Sequence, residues 1–244
     1  MTGRAIPEAI KRTVRKRCAF GCIICGLPIW DYHHIEQFAH VKEHEVENLV
    51  LLCPNHHGDL HGKRLSSSAI RKHASCPYNH RSHHTTSREW ILVGQSCTII
   101  IGGNTYECNF DNNRDRFCLL NVRGNEIFTV TYEDDHLLIT AAFYDEKGMN
   151  VLAIERGEMV VSTSVWDFNV EGPEITIRNA LRDITLQFSF VDNVITVAQG
   201  RIIYPPYTLD IRKDYYSVKS SIHPGWIRQS GGRHKQVRNG IGVT

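Results

Sequence analysis

Four residues of this chain have the types and spacing of a closed metal shell: Cys22-x-x-Cys25 and Cys53-x-x-His56, with 27 residues between the second ligand and the third. Two ligands on one tight turn come within about 4 Å of each other, and two such pairs complete the tetrahedron that Zn²⁺ takes with sulfur and nitrogen. Gly21 and Gly26 flank the first pair and permit the turn. A shell with four protein ligands leaves no open position, so its role is structural, holding a segment too small to make its own core. Cys18 could replace Cys22, but CxxC makes the better knuckle. Buried thiols, the competing reading, suit Cys97, Cys108 and Cys118, which stand singly among β-type residues.

Between the two pairs run Tyr32-His33-His34-Ile35 and Glu47-Asn48-Leu49-Val50-Leu51-Leu52, and His57 directly follows the fourth ligand. His, Asn and His threaded through a CxxC…CxxH staple resemble the HNH nuclease family, over roughly residues 12–65. The catalytic unit of that family is two antiparallel strands and a helix gripping one divalent ion, the ββα-metal fold. The resemblance implies that His34 is the general base, that Asn48 braces the loop carrying the base or touches the metal, and that His57 is a metal ligand on the first turn of the helix. His33 stands where many members have an Asp that binds metal; this departure bears on the choice of ion.

The residue types suit phosphodiester hydrolysis without the family label. An imidazole with a pKa near 6.5 can take a proton from water around neutral pH. A divalent cation offsets the charge that gathers on the phosphoryl and leaving oxygens. Successive side chains of a strand point to opposite faces, so of His33 and His34 one serves the metal and the other the water. His33 and His57 as nitrogen ligands favour Mn²⁺ or Ni²⁺ more than an all-oxygen site does, with Mg²⁺ the abundant candidate.

Other polar residues of the segment have plainer readings. His44 and His61 are close to the motif in sequence but read as outside its direct contacts, His40 as surface, and Glu36, Glu43, Glu45 and Glu47 as a solvated loop face. His80, His83 and His84 fall in a stretch without periodicity. Arg12, Arg15, Lys16 and Arg17 before the first knuckle, with Lys63 and Arg64 after the expected helix, are placed to neutralise backbone phosphates, which gives affinity without sequence preference.

These side chains need elements to position them. Ile6, Ile10 and Val14 mark one stripe of an amphipathic helix over residues 7–17, and a second helix is expected after Cys53. Residues 75–89, rich in Ser, Thr and His, read as a linker. From Trp90 onward short β-type runs alternate with turn signals such as Gly102-Gly103, Gly124-Asn125, Arg156-Gly157 and Asp192-Asn193, the pattern of an all-β module. Sandwich, barrel and stacked array all remain open. After residue 212 the chain is basic and rich in Gly and Ser, the composition of a flexible tail.

Across the 244 residues a net charge of +2 conceals three blocks: +5 over residues 1–90, −9 over 91–211 and +6 over 212–244. Basic ends suggest a polyanionic partner, whereas like charges repel DNA from the acidic middle. The composition, with 41% hydrophobic and 22% charged residues, excludes wholesale disorder and collagen-like classes. No run approaches the roughly 18 apolar residues of a membrane helix, and the basic first thirty residues lack the apolar centre of a secretory signal, so a cytoplasmic protein without a membrane partner is expected.

The sequence therefore predicts an α+β protein in four parts: a zinc-stapled ββα-metal module over 1–74, a linker over 75–89, an all-β domain over 90–212 and a basic tail over 213–244. The expected activity is a divalent-metal-dependent endonuclease acting on DNA, with RNA not excluded and restriction or defence as a context. Recognition, sensing or homo-oligomeric assembly falls to the β domain. The alternative is a zinc-stapled nucleic-acid-binding protein that does not cut.

Overall fold

A computed structural model describes residues 5–235 and 238–243. The chain is mixed α+β with few helices and mostly β-sheet. It divides into two compact units, the first taking Met1–Arg88 together with Val160–Asn169 and the second Glu89–Met159 with Val170–Thr244. Among the described residues no helix is long and apolar enough to cross a membrane.

In the first unit, helix α1 (Glu8–Arg17) has Glu8 in its first turn and Arg15, Lys16 and Arg17 in its last, charges that complement the helix dipole. Its Ile10 and Val14 enter a core with Cys18, Cys22, Ile23, Cys53 and Ile70. Strands β1 (Asp31–His34) and β2 (Leu49–Leu52) pair antiparallel, with Tyr32 opposite Leu51, His33 opposite Val50 and His34 opposite Leu49. All four residues of β2 are fully buried, so this strand anchors the polar β1 to the core. A short helix α2 (Phe38–Val41) lies in the hairpin loop. Helix α3 (Pro54–His61) follows β2 with Pro54 in its first turn, where a missing N–H costs nothing. Helix α4 (Ser67–Ser75) is capped by Ser66, whose hydroxyl accepts from the Ala69 N–H at 3.2 Å.

The stretch 75–89 is not a free linker. Asn79 is fully buried and its Nδ2 donates to the carbonyls of Ala19 and Gly26, each at 3.0 Å. Gly26 sits at φ +78°, a conformation that closes the first knuckle and that a side chain would strain. Thr85 is also buried and exchanges backbone and side-chain hydrogen bonds with Val161, at 2.9 and 3.0 Å. Composition suggested a linker because Ser, Thr and Asn here serve backbone groups of the same unit, a role with no periodicity to betray it.

The segment Val160–Asn169 also brings Asp167 to Arg15. The guanidinium is 2% exposed and donates through Nε and Nη2 to the two carboxylate oxygens at 2.8 and 2.7 Å. Its remaining donors reach the Tyr32 hydroxyl and Glu8, both at 2.8 Å. Phe168 packs edge-on against Phe20 and Trp30, with ring centroids 6.5 and 5.6 Å away.

The second unit is built from antiparallel hairpins in two sheets. One runs, in spatial order, through Asn239–Val243, Arg116–Val122, Asn125–Glu133, His136–Tyr144 and Asn150–Glu155; the other through Glu174–Ala180, Asp183–Val191, Val194–Tyr204, Tyr207–Ile211, Tyr216–Ser220 and Trp226–Gln229. Ser96–Ile101 joins the second sheet parallel to residues 194–197, and Asn104–Asn109 follows it. Alternation sets the faces: along His136–Tyr144, Leu137, Ile139, Ala141 and Phe143 are buried while their neighbours are not. Phe128, Phe143 and Ile154 of one sheet meet Phe188, Phe190, Ile195 and Val197 of the other around a small cavity, so the two sheets pack face to face. Asp192-Asn193 and Gly102-Gly103 have paired positive φ values suited to tight hairpins.

Among the described residues the basic end is not a flexible tail; 236, 237 and 244 lie outside them. Tyr216–Ser220 and Trp226–Gln229 extend the second sheet, Arg233–Lys235 pairs parallel with residues 105–107, and Asn239–Val243 pairs parallel with Arg116–Val122. These strands need few apolar residues because an exposed sheet edge offers unpaired N–H and C=O groups to any extended chain.

The buried ion pair gives a direct test. Asp167→Ala leaves a buried guanidinium without its main partner and should lower the stability of the first unit by about 3–5 kcal/mol in urea denaturation. Asp59→Ala, which removes the exposed partner of Arg64, should cost less than about 1 kcal/mol.

Candidate metal centres

Cys22, Cys25, Cys53 and His56 form one cluster that could hold a metal ion such as zinc. The first knuckle is closed by the Gly26 N–H on the Cys22 carbonyl at 2.8 Å and by the Cys22 N–H on the Leu27 carbonyl at 3.0 Å. Cys53 immediately precedes α3 and His56 lies on its first turn. Cys25 and Cys53 sulfurs are 3.8 Å apart, and His56 Nδ1 lies 3.4 Å from the Cys22 sulfur and 3.2 Å from that of Cys53. A tetrahedron with Zn–S of about 2.3 Å and Zn–N of about 2.0–2.1 Å has edges of about 3.8 Å between sulfurs and 3.6 Å between sulfur and nitrogen. The donors fit the ion in type, number and separation. A thiol proton from Cys25 holds the Cys22 thiolate well below the usual thiol range, down to about 4. Sharing that proton pushes Cys25 up, and burial pushes Cys53 up. A dication reverses this preference and releases the remaining thiol protons.

A second group, His33, His57 and His61, has its ligand atoms within 4.8 Å of one another. His33 comes from β1, and His57 and His61 stand one turn apart on α3, so a single helix face meets a single strand face. His57 Nε2 and His61 Nε2 are 3.2 Å apart, within the range of about 3.0–3.4 Å for two nitrogens bound at 2.1 Å. The other ring nitrogen of His57 lies 3.3 Å from a carboxylate oxygen of Asp31, which shares the strand face of His33. A carboxylate on the far side of a ligating imidazole fixes its tautomer and ring orientation. Burial, followed by the neighbouring His57, His61 and His34, pushes the His33 pKa down to about 4, leaving the ring neutral and able to ligate at neutral pH. Three nitrogens leave coordination positions open, unlike the closed Cys₃His shell.

His34 is outside this triad. Its Nε2 lies 3.1 Å from His44 Nδ1, and its ring packs beside Phe38, on which His44 stacks with centroids 4.6 Å apart. Burial and then His44 lower its pKa. Asn48 Oδ1 accepts from the Glu36 N–H at 2.7 Å and its Nδ2 donates to the Glu36 carbonyl at 3.0 Å, which ties the end of β1 to the start of β2.

The six basic residues do not form one phosphate-facing set. Arg15 is buried on Asp167 and unavailable to DNA. Arg17 bonds the Leu49 carbonyl, which puts it in the scaffold of the hairpin. Arg12 lies over the Trp166 ring at 4.6 Å, and Arg64 pairs with Asp59 at 2.8 Å. Lys16 and Lys63 are exposed.

Sequence reasoning missed His61 and Asp31 as members of the site and His44 as the partner of His34. The first two carried a signal: i and i+4 share a helix face, and i and i+2 share a strand face. His44 carried none, since the loop between Ile35 and Asn48 has no period. No family model matches the chain, and no curated protein or solved structure matches it.

Two measurements check these centres. Elemental analysis of protein purified without added metal should give about one zinc per chain, and Cys53→Ser should lose that zinc and unfold the first unit, since a structural site supplies roughly 10 kcal/mol or more. His33 favours its neutral form in the fold, so the unfolded chain binds the proton more readily. Stability of the protein with the His triad metal-free should therefore be full above pH 6.5 and fall as the pH drops toward 4, and His33→Gln should flatten that decline in denaturation midpoints.

Proposed function

We propose that this protein is a metal-dependent endonuclease of the HNH type that hydrolyses DNA phosphodiester bonds, its β module serving recognition, sensing or assembly. The observation that carries this reading is the meeting of His33, His57 and His61 on one side of the β1–α3 pair, with His34 next along the strand and held by His44. His33, His57 and His61 would hold a divalent cation, which when bound offsets charge on the phosphate and weakens the bond to the leaving oxygen.

The chain's own residues account for the rest. With Nε2 engaged by His44, the nitrogen of His34 that can take a proton from water is Nδ1. If Nε2 carries the hydrogen and donates it to His44, the imidazolium formed by proton transfer keeps a charge-assisted hydrogen bond. Partial burial keeps His34 neutral before that transfer. Asn48 holds the hairpin end against Glu36 and so fixes where His34 stands. An all-imidazole triad favours Ni²⁺ or Mn²⁺ over Mg²⁺.

The test is cleavage of supercoiled plasmid with Mg²⁺, Mn²⁺ or Ni²⁺, in parallel with a structured RNA. The parent should nick the plasmid, with Ni²⁺ or Mn²⁺ supporting higher rates than Mg²⁺, and EDTA should stop it. His34→Ala should slow nicking by about 10²–10⁴-fold, and His57→Ala and His61→Ala should abolish it, while gel-shift binding persists. Cleavage by His34→Ala at the parental rate would overturn the base assignment. Binding without cleavage by the parent in any of the three metals would leave a stapled nucleic-acid-binding protein.

A further inference from the structure

In the second unit, the strands Tyr216–Ser220 and Trp226–Gln229 form the end of a sheet, with Lys219 opposite Trp226, Val218 opposite Ile227 and Ser217 opposite Arg228. Alternation puts Tyr215, Lys219, Trp226 and Arg228 on one face. Arg228 lies 3.6 Å above the Tyr215 ring, which confirms that these two share it. Trp226 is 62% exposed, the Lys219 side chain is 59% exposed, and Arg212 and Lys213 in the preceding turn are exposed as well. Asp210 is paired with Arg201 at 3.0 Å and Lys219 at 3.6 Å, and the exposed Asp214 adjoins Tyr215 in the preceding turn.

A tryptophan in this position adds nothing to a core. A strand of this kind is held by its backbone ladder, and Trp226 lines one groove at this edge together with the exposed Ile227; apolar surface gathered in this way marks a contact site. Flanking cations set the chemistry of the contact: a π face between a lysine and an arginine suits a ligand that alternates aromatic rings with negative charges. The excess of +6 over residues 212–244, against −9 over 91–211, confines this basic character to the last strands of an otherwise acidic module. A duplex keeps its base faces stacked, whereas a single strand offers them.

We propose that this face docks single-stranded DNA, with a base stacked on Trp226 and backbone phosphates paired with Lys219 and Arg228. The choice of DNA rests on the proposed nuclease function; the stacking geometry does not.

The experiment is fluorescence anisotropy of a labelled oligothymidylate of about fifteen nucleotides, within the span of known single-strand sites, without added divalent ion, together with tryptophan emission. The parent should bind, quench its tryptophan emission and prefer the single strand to a duplex of equal length. Trp226→Ala should weaken binding about tenfold and remove most of the quench, with Trp226→Phe intermediate and far-UV circular dichroism unchanged in both. Lys219→Ala/Arg228→Ala should lower the slope of log affinity against log salt by about 1.4, at roughly 0.7 per phosphate contact. Trp226→Ala binding as tightly as the parent would overturn the proposal. So would a parent that ignores the oligonucleotide but binds anionic lipid vesicles with blue-shifted emission, or one that binds oligouridylate in preference to oligothymidylate. Plasmid nicking reports on the histidines and anisotropy on this face, so either reading can fail while the other stands.

Discussion

The cysteine-histidine cluster of Cys22, Cys25, Cys53 and His56 joins the first knuckle to the start of α3, beside the apolar core that buries β2. Strand β1 has four residues, none of them aliphatic, and α3 has eight, with no side-chain cap at its start and Gly58 in its middle. A helix of that length is marginal alone, because nucleation is unfavourable and few bonds follow it. Fixing Cys53 and His56 to the first knuckle pins the first turn of α3 in place. His57 stands one residue beyond His56 and His61 one turn further, so an ion held by the Cys₃His set would also fix the placement of the His triad. The two clusters share a helix yet differ in donors: three sulfurs and one nitrogen in the first, three nitrogens in the second.

Arg15 supplies a second constraint of a different kind. A buried guanidinium is expensive unless every donor is used, and here the donors reach Asp167, Tyr32 and Glu8. Replacing such a network by apolar residues would often be neutral or stabilising, so its value lies in geometry more than in net energy. Tyr32 directly precedes His33, which means that helix α1 and the segment Val160–Asn169 both bear on the strand that carries the triad's first member. Residues far along the chain thereby complete the N-terminal unit.

How much of this was legible in the sequence follows from the range of each interaction. The knuckles were legible because their ligands lie three apart, and the opposite placement of His33 and His34 because strands alternate. The β module was legible from its alternation and turn signals, although the pairing of its sheets was not, since hairpin order says nothing of which faces meet. Arg15 looked like one more surface cation because its partner lies 152 positions away. Residues 75–89 and the described residues after 212 were misread for a shared reason: both are ordered through backbone hydrogen bonds, and composition records side chains only. Asp134-Asp135 shows the same limit, forming a tight hairpin with φ of 49° and 65° where no glycine announces it.

Burial sets the electrostatics of the first unit, and segregation of charge along the chain sets that of the second. In the first, desolvation lowers the pKa of His33 and of His34 and so favours the neutral ring at both positions. In the second, the acidic body and the basic final strands belong to one sheet system, so their opposite charges are held at fixed separation instead of on a mobile tail. A flexible cationic tail loses conformational freedom whenever it meets a polyanion, and that loss is subtracted from affinity. Cations built into paired strands have already given up that backbone freedom on folding, so a small number of them present positive charge at a defined place in an otherwise acidic module.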